Sequence, residues 1–311
     1  MICSVFGFVF GFIFDMGTIK EALSLFDFLG YGFVQRALFT GVFVGTACAV
    51  LGVFLVLRRY ALIGHGLTHV AFGGVAVGLL LGGQPFWSAL IITIISSIGI
   101  LKLQERVRIH ADVAIGVVSA VGMATGILIA SAARGFNIDL MSYLFGSILT
   151  IGKEEFWASL MISVVIVVFI VIFYHRLFAM TFDGETAMVM GINVGRFNYF
   201  FAVVTALLVV VGMRLVGLLL VSALIILPAV TSLQVSRSFK GSLVVAALTA
   251  VVSVFLGIFF SYHLDLPTGG TIVMINFLLF IGAYLVKRIV LERNKGEGER
   301  GYLKRSLDSS A

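Results

Sequence analysis

Residues Arg58 to Gly83 read RRYALIGHGLTHVAFGGVAVGLLLGG. An arginine pair is followed by an apolar stretch with no Asp, Glu, Lys or Arg, long enough to cross a bilayer as a helix of ~20 residues. Within it stand two histidines, His65 and His69, four residues apart. On a helix that spacing puts both imidazoles on one face, about one turn apart. Ionisable side chains at membrane depth are costly and tend to line ion or substrate paths. Neutral imidazole is a common ligand of divalent transition metals. Two imidazoles do not complete a four-coordinate site, which suits transit, because a transported ion must also leave. The competing structural reading is two neutral histidines bonded to neighbouring carbonyls or hydroxyls.

The same hydrophobic pattern recurs along the chain. Of its 311 residues, 60% are hydrophobic and 12% charged, about half the charged share of a soluble domain. Apolar runs fall at roughly 38–57, 66–82, 86–103, 112–133, 154–174, 197–212, 215–235, 242–262 and 269–286. This predicts an all-α, polytopic membrane protein of about nine transmembrane helices, with eight to ten as the range. Residues 1–34 form a hydrophobic or interfacial N-terminal segment, 35–288 the membrane domain and 289–311 a polar tail. The opening MICSVFGFVFGFIFD has no basic stretch ahead of it and no clear cleavage site. It reads either as a tenth crossing or as a helix on the membrane surface.

Charge orients the spans. Placing Arg58–Arg59, 102–110, 175–196, 236–241 and the tail on one side leaves only Lys20, Arg36, Arg134, Lys153 and Arg214 of the 21 Lys and Arg on the other. By the positive-inside rule the tail is cytoplasmic in a multi-pass cell-membrane (plasma or inner membrane) protein. The net charge of +6 is spread over short loops, so no nucleic-acid surface is expected. Cys3 and Cys48 form no CxxC pattern, and no GxxxxGK[ST] phosphate loop occurs, so no ATPase is expected on this chain. No general acid and nucleophile sit together within the spans, which argues against an enzyme.

Other features are local. Gly74, Gly78 and Gly82, and likewise Gly41 and Gly45, repeat at four-residue spacing and predict close helix packing. Gly64 and Gly66 flank His65, a place for the helix to start late or bend. Arg214 reads as a tight external turn between two helices, and Pro228 should kink the second of them. His110 and His175 read as solvated. His263 and Asp265, two apart in an external loop, suit contact with an ion or a partner about as well as an ordinary loop. MTFDGETAMVMGINVGRFNY (180–199) predicts a short amphipathic helix ending near a glycine, either docked into a soluble partner or packed on the bundle.

Taken together, several segments resemble a known family. RRYALIGHGLTHVAFGGVAVG resembles the first conserved block of the permease subunits of metal-ion ABC importers, which move zinc, manganese or iron. IDLMSYLFGSIL (138–149) resembles their external block and FDGETAMVMGINV (182–194) their coupling-helix segment. MRLVGLLLVSALIILPAVTS and SYHLDLPTGGTIV resemble their later spans. The resemblance covers residues 35–288 in order.

It implies a permease acting as a homodimer with two cytoplasmic ATP-binding subunits and an extracytoplasmic metal-binding protein. No permanently bound cofactor is implied, and the divalent metal is cargo. His65 and His69 would line the metal pathway. Asp183, Gly184, Glu185, Ala187 and Gly191 would form the contact that couples ATP hydrolysis to transport. The family block reads Gly-Asp, three residues, then His, so His65 stands where an aspartate is usual. An all-imidazole pair leans toward zinc. Alternatives are an ABC permease for a metal chelate and an ATP-independent secondary transporter, though no inverted repeat is clear.

Overall fold

The computed structural model describes residues 30–132, 144, 146 and 152–308, with residues 153, 214, 215, 219 and 290–308 described by backbone alone. The possible crossing at 1–15 lies outside the described residues, as does the 138–149 block apart from 144 and 146. Eleven helices follow in order among the described residues: α1 (Gly32–Leu57), α2 (Ala61–Leu80), α3 (Pro85–Val107), α4 (Ala111–Ala132), α5 (Lys153–Ile172), α6 (Tyr174–Phe182), α7 (Gly184–Val189), α8 (Val194–Val216), α9 (Leu218–Val235), α10 (Phe239–Leu264) and α11 (Thr268–Asp308). Eight carry a stretch long and apolar enough to span a membrane. The ninth apolar helix, α9, has the shorter stretch Leu220–Val235. This is the all-α, multi-spanning architecture expected from the hydropathy pattern. In hydrocarbon a helix satisfies its own backbone, so the long apolar runs have no other open structure available. The backbone of α11 continues as helix to Asp308, into the polar stretch read as a tail.

Packing centres on α2, which lies most extensively against α4 and α3, while α1 lies against α10, α9 and α5. Glycine makes this possible. A Cβ on Gly73 would stand 2.7 Å from the Gly122 carbonyl oxygen of α4, and one on Gly74 would stand 2.6 Å from Ala89 Cα of α3. Gly78 likewise meets Pro85, and Gly41 and Gly45 face Val254 of α10. Close packing thus holds at four of the five spaced glycines. Gly82 differs: it lies beyond α2, with φ +65 and open space around it. There it ends the helix by donating to Leu79 O at 3.2 Å while Gly83 donates to Gly78 O at 3.0 Å.

Two local expectations need correction. Helix α2 starts at Ala61 and runs unbroken through Gly64 and Gly66. Those glycines serve packing, Gly64 against Ile225 of α9 and Gly66 against Ile115 of α4. The break between α8 and α9 falls at Gly217 rather than Arg214, which lies inside the last turn of α8. Gly217 has φ 84 and ψ 155, a region open to glycine almost alone. The chain reverses there so that Gly212 packs on Val221. Pro228 sits inside α9 without interrupting it.

Gly73→Leu would drive side-chain atoms into the α4 backbone, a cost of about 1–3 kcal/mol for overpacking. Thermal unfolding in detergent should show a lowered midpoint for this variant, and no lowering for Gly116→Leu, where a Cβ meets nothing within 4 Å. Equal midpoints would refute the close-packed α2–α4 seam.

Candidate functional site

His65 and His69 occupy the second and third turns of α2. Their Nε2 atoms lie 3.4 Å apart and the rings meet edge to face, 4.8 Å between centroids. His65 is exposed and His69 half-buried, with Gly73 one turn beyond His69 on the same side of α2. Thr68 Oγ1 donates to the His65 carbonyl at 2.6 Å, a bond that leaves both imidazoles unused. The two nitrogens face each other at hydrogen-bonding distance, one ring able to donate to the other, as side chains one turn apart on a helix can. Among the described residues no group of three or more His, Cys, Asp or Glu side chains forms a metal cluster.

The loop segment builds from α6, an amphipathic helix that buries Leu177 and Met180. Its Phe178 and Phe182 meet Phe239, at the start of α10, edge to face. Asp183 then caps α7: its Oδ1 accepts from Glu185 N and Thr186 N, each at 3.0 Å. Its Oδ2 accepts from Thr186 Oγ1. The far end closes at Gly191, φ 80, where Gly191 N donates to Met188 O and Ile192 N to Ala187 O, both at 3.0 Å. That pair of bonds is the glycine C-terminal closure predicted from sequence. Ala187 is buried, while Met188, Val189 and Met190 project outward, Val189 at 89% exposure.

At the opposite end of the bundle, α10 finishes at Leu264 between the two residues read as a pair. His263 packs its ring on Phe259, 4.6 Å between centroids. Asp265 adopts a left-handed φ of 54 and lines a hollow of ≈ 380 Å³ with Phe33, Tyr262, Ser261 and Thr268. His263 does not line it. His110 and His175 are exposed.

One group of side chains escaped the reading of the sequence. Arg58 Nη2 donates to Asn198 Oδ1 at 2.5 Å, Tyr199 OH to Glu105 Oε2 at 2.8 Å, and Gln104 Nε2 to Tyr60 OH at 3.4 Å. These bonds join the α1–α2 link, the end of α3 and the start of α8. Their partners are 140, 94 and 44 residues apart, so no local pattern announces them.

A bundle of membrane-length helices with an adjacent imidazole pair and a capped, outward-facing loop helix defines a polytopic membrane protein of the transporter class. The chain belongs to the ABC 3 transport family, whose model matches residues 30–287. It is 32% identical over 256 residues to the manganese transport system membrane protein MntC of Halalkalibacterium halodurans, covering 82% of this chain and 88% of that one. It is 29% identical over 256 residues to the manganese import system permease protein ScaB of Streptococcus gordonii, covering 82% and 92%. Among solved structures, PsaBC from Streptococcus pneumoniae in complex with Fab superposes with a TM-score of 0.76 at 28% identity, over 86% of this chain and 95% of that one. An inward-facing structure of a metal-chelate type ABC transporter shares the fold, with a TM-score of 0.63 at 15% identity over 81% and 85% of the two chains.

The bonds to Asp183 hold its carboxyl below its ordinary value of 3.8, the Thr186 hydroxyl first among them. A depressed carboxyl stabilises the cap fully above the ordinary value, and that contribution is lost as pH falls through the lower folded value. Exchange protection of the Glu185 and Thr186 amides, followed against pH, should therefore stay flat from neutral pH to the ordinary carboxylate range and fall only below it. Asp183→Ala should remove the protection at every pH. Loss of protection already near pH 6 in the unaltered chain would contradict the cap.

Proposed function

We propose that this chain is the membrane-spanning permease subunit of an ATP-driven importer of a divalent transition metal, zinc above others. The carrying observation is the 3.4 Å approach of two imidazole nitrogens on an exposed face of a membrane helix. A nitrogen pair with no carboxylate partner suits zinc, which takes imidazole readily and four ligands in a tetrahedron. A second copy of the chain facing this side of α2 would bring the set to four imidazoles. The functional unit in this reading is a homodimer with the metal path at its axis. The resident site would be weak in one copy and transient in two, as cargo requires.

The remaining parts follow from the division of labour in this reading. ATP hydrolysis belongs to separate ATP-binding subunits on the cytoplasmic side of the cell membrane, where the positive-inside distribution puts the basic loops and the tail. Asp183, Gly184, Glu185, Ala187 and Gly191 build the coupling contact, with Met188, Val189 and Met190 as its apolar tip. On the outer side, an extracytoplasmic metal-binding protein delivers the ion near Asp265 and His263. Pro228 weakens α9 and lets it bend as access alternates. A second reading, manganese as the cargo, is favoured by the names of relatives such as MntC and ScaB. Its chemistry would ask more of oxygen ligands than His65 and His69 supply.

Metal uptake in proteoliposomes holding the permease with its ATP-binding subunits tests this. ATP-dependent zinc uptake should fall about tenfold or more in His69→Ala, a loss of ~1.4 kcal/mol or more, with assembly intact. His65→Asp should move preference from zinc toward manganese. Unchanged uptake in His69→Ala would remove the pair from the pathway, and uptake indifferent to ATP would favour a secondary transporter. Glu185→Ala or Gly191→Val should leave ATP hydrolysis running while transport falls. Normal coupling in both would remove the docking role from α7.

A further inference from the structure

Between the loop helix α7 and the histidine helix α2 lies a continuous, stiff path. The Gly191 closure ends α7, and two residues later Asn193 caps α8 by accepting from Arg196 N at 3.1 Å. The first two turns of α8 then present Asn198 to Arg58 and Tyr199 to Glu105. The Arg58 guanidinium stands over the rings of Phe201 and Tyr60, 5.4 and 5.8 Å from their centroids. The chain leaves Arg58 through another two-bond closure, Arg59 N to Val56 O at 3.1 Å and Tyr60 N to Leu55 O at 2.9 Å. Arg59 itself is left-handed at φ 61, uncommon for a residue with a side chain. Helix α2 starts immediately afterwards, and His65 is in its second turn.

Two further observations separate this path from ordinary packing. The half-buried Arg58 guanidinium meets a neutral amide, so the bond can open without parting an ion pair in a dry setting. Arg58 and Asn198 also line a small hollow of ≈ 20 Å³ with Leu55, Ile63, Leu101 and Thr205, about enough for one water molecule.

We propose that the Arg58–Asn198 and Tyr199–Glu105 bonds form a latch that transmits displacement of the 183–191 segment to the helix bearing His65 and His69, making Arg58, Asn198 and Tyr199 positioning residues for transport. The proposal rests on the importer reading, and the coupling segment enters it only through that reading. Movement of α7 reaches α8 through the two-bond closure at Gly191 and Ile192 and the Asn193 cap. From α8 it passes sideways to the α1–α2 link through Arg58 and to α3 through Glu105.

The experiment is the reconstituted complex, with ATP hydrolysis and zinc uptake measured on the same vesicles. In Asn198→Leu, the metal moved per ATP hydrolysed should fall about tenfold while hydrolysis persists, consistent with loss of a charge-assisted hydrogen bond. Asn198→Asp, which keeps an acceptor for Arg58, should restore most of the ratio. Arg58→Gln combined with Asn198→Leu should cost no more than either alone, because the two act as one contact. Tyr199→Phe, which removes a single hydroxyl, should lower the ratio in the same direction, and it decides the matter if Asn198→Leu fails to assemble. A wild-type ratio in these variants, or uptake and hydrolysis falling in proportion, would overturn the latch. Absence of ATP-dependent uptake in the unaltered complex would overturn the importer reading instead.

Discussion

A chain that crosses a bilayer must satisfy its backbone without water, and this one does so with helices whose apolar character runs nearly all the way round. Hydrophobicity then says little about which face meets which, since lipid tails are as apolar as leucine. Contact is decided by how closely backbones approach. Several buried hydroxyls respect the same constraint: Thr93, Thr205 and Thr231 each donate to the carbonyl four residues back in their own helix, whereas Thr40 Oγ1 and Ser163 Oγ are buried with no partner. Polarity inside the bundle is thus largely absorbed locally. Longer-range polar bonds appear at the end where Arg58, Glu105 and Asn198 gather.

Helix α2 shows what this constraint leaves free. Gly66, Gly73, Gly74 and Gly78 press it onto α3 and α4. His65 and His69 stand where that packing is incomplete, His65 exposed and His69 half-buried, with Gly73 one turn beyond His69 on the same side. The glycines Gly66 and Gly73, three residues before and four after His69, set α2 close against α4 next to it.

How much of this is legible in the sequence depends on the range of each signal. The nine apolar helices are local and legible. So is the histidine geometry, because an i, i+4 pair on a helix has little freedom. The α7 cap at Asp183 and closure at Gly191 are likewise written within a dozen residues. The turn between α8 and α9 is misplaced from sequence because hydropathy hardly dips there. A charged residue, Arg214, is a louder sign than Gly217, although the backbone geometry selects the glycine. His263 and Asp265 look adjacent on paper, yet α10 ends between them and sends one ring onto Phe259 and the other side chain to the hollow. Arg58 and Asn198 are illegible for a different reason, since their pairing is a product of the assembled bundle.

The stiffness of the links has a consequence for where shape can change. The α1–α2 connection at 58–60, the α2–α3 connection at 81–83 and the turn at 190–192 all close with paired backbone bonds, so none is a loose joint. Helix α9 is different. It begins at Gly217, and Pro228 within it has no N–H for the Leu224 carbonyl, which loses its usual partner four residues on. Ile225, the next residue, lies with its carbonyl against Gly52 of α1 and its side chain beside Gly64 of α2. Both glycines therefore expose bare backbone to the weakest stretch of α9. Ile225 thus ties the turn of α9 before Pro228 to Gly52 of α1 and to Gly64, the residue directly before His65.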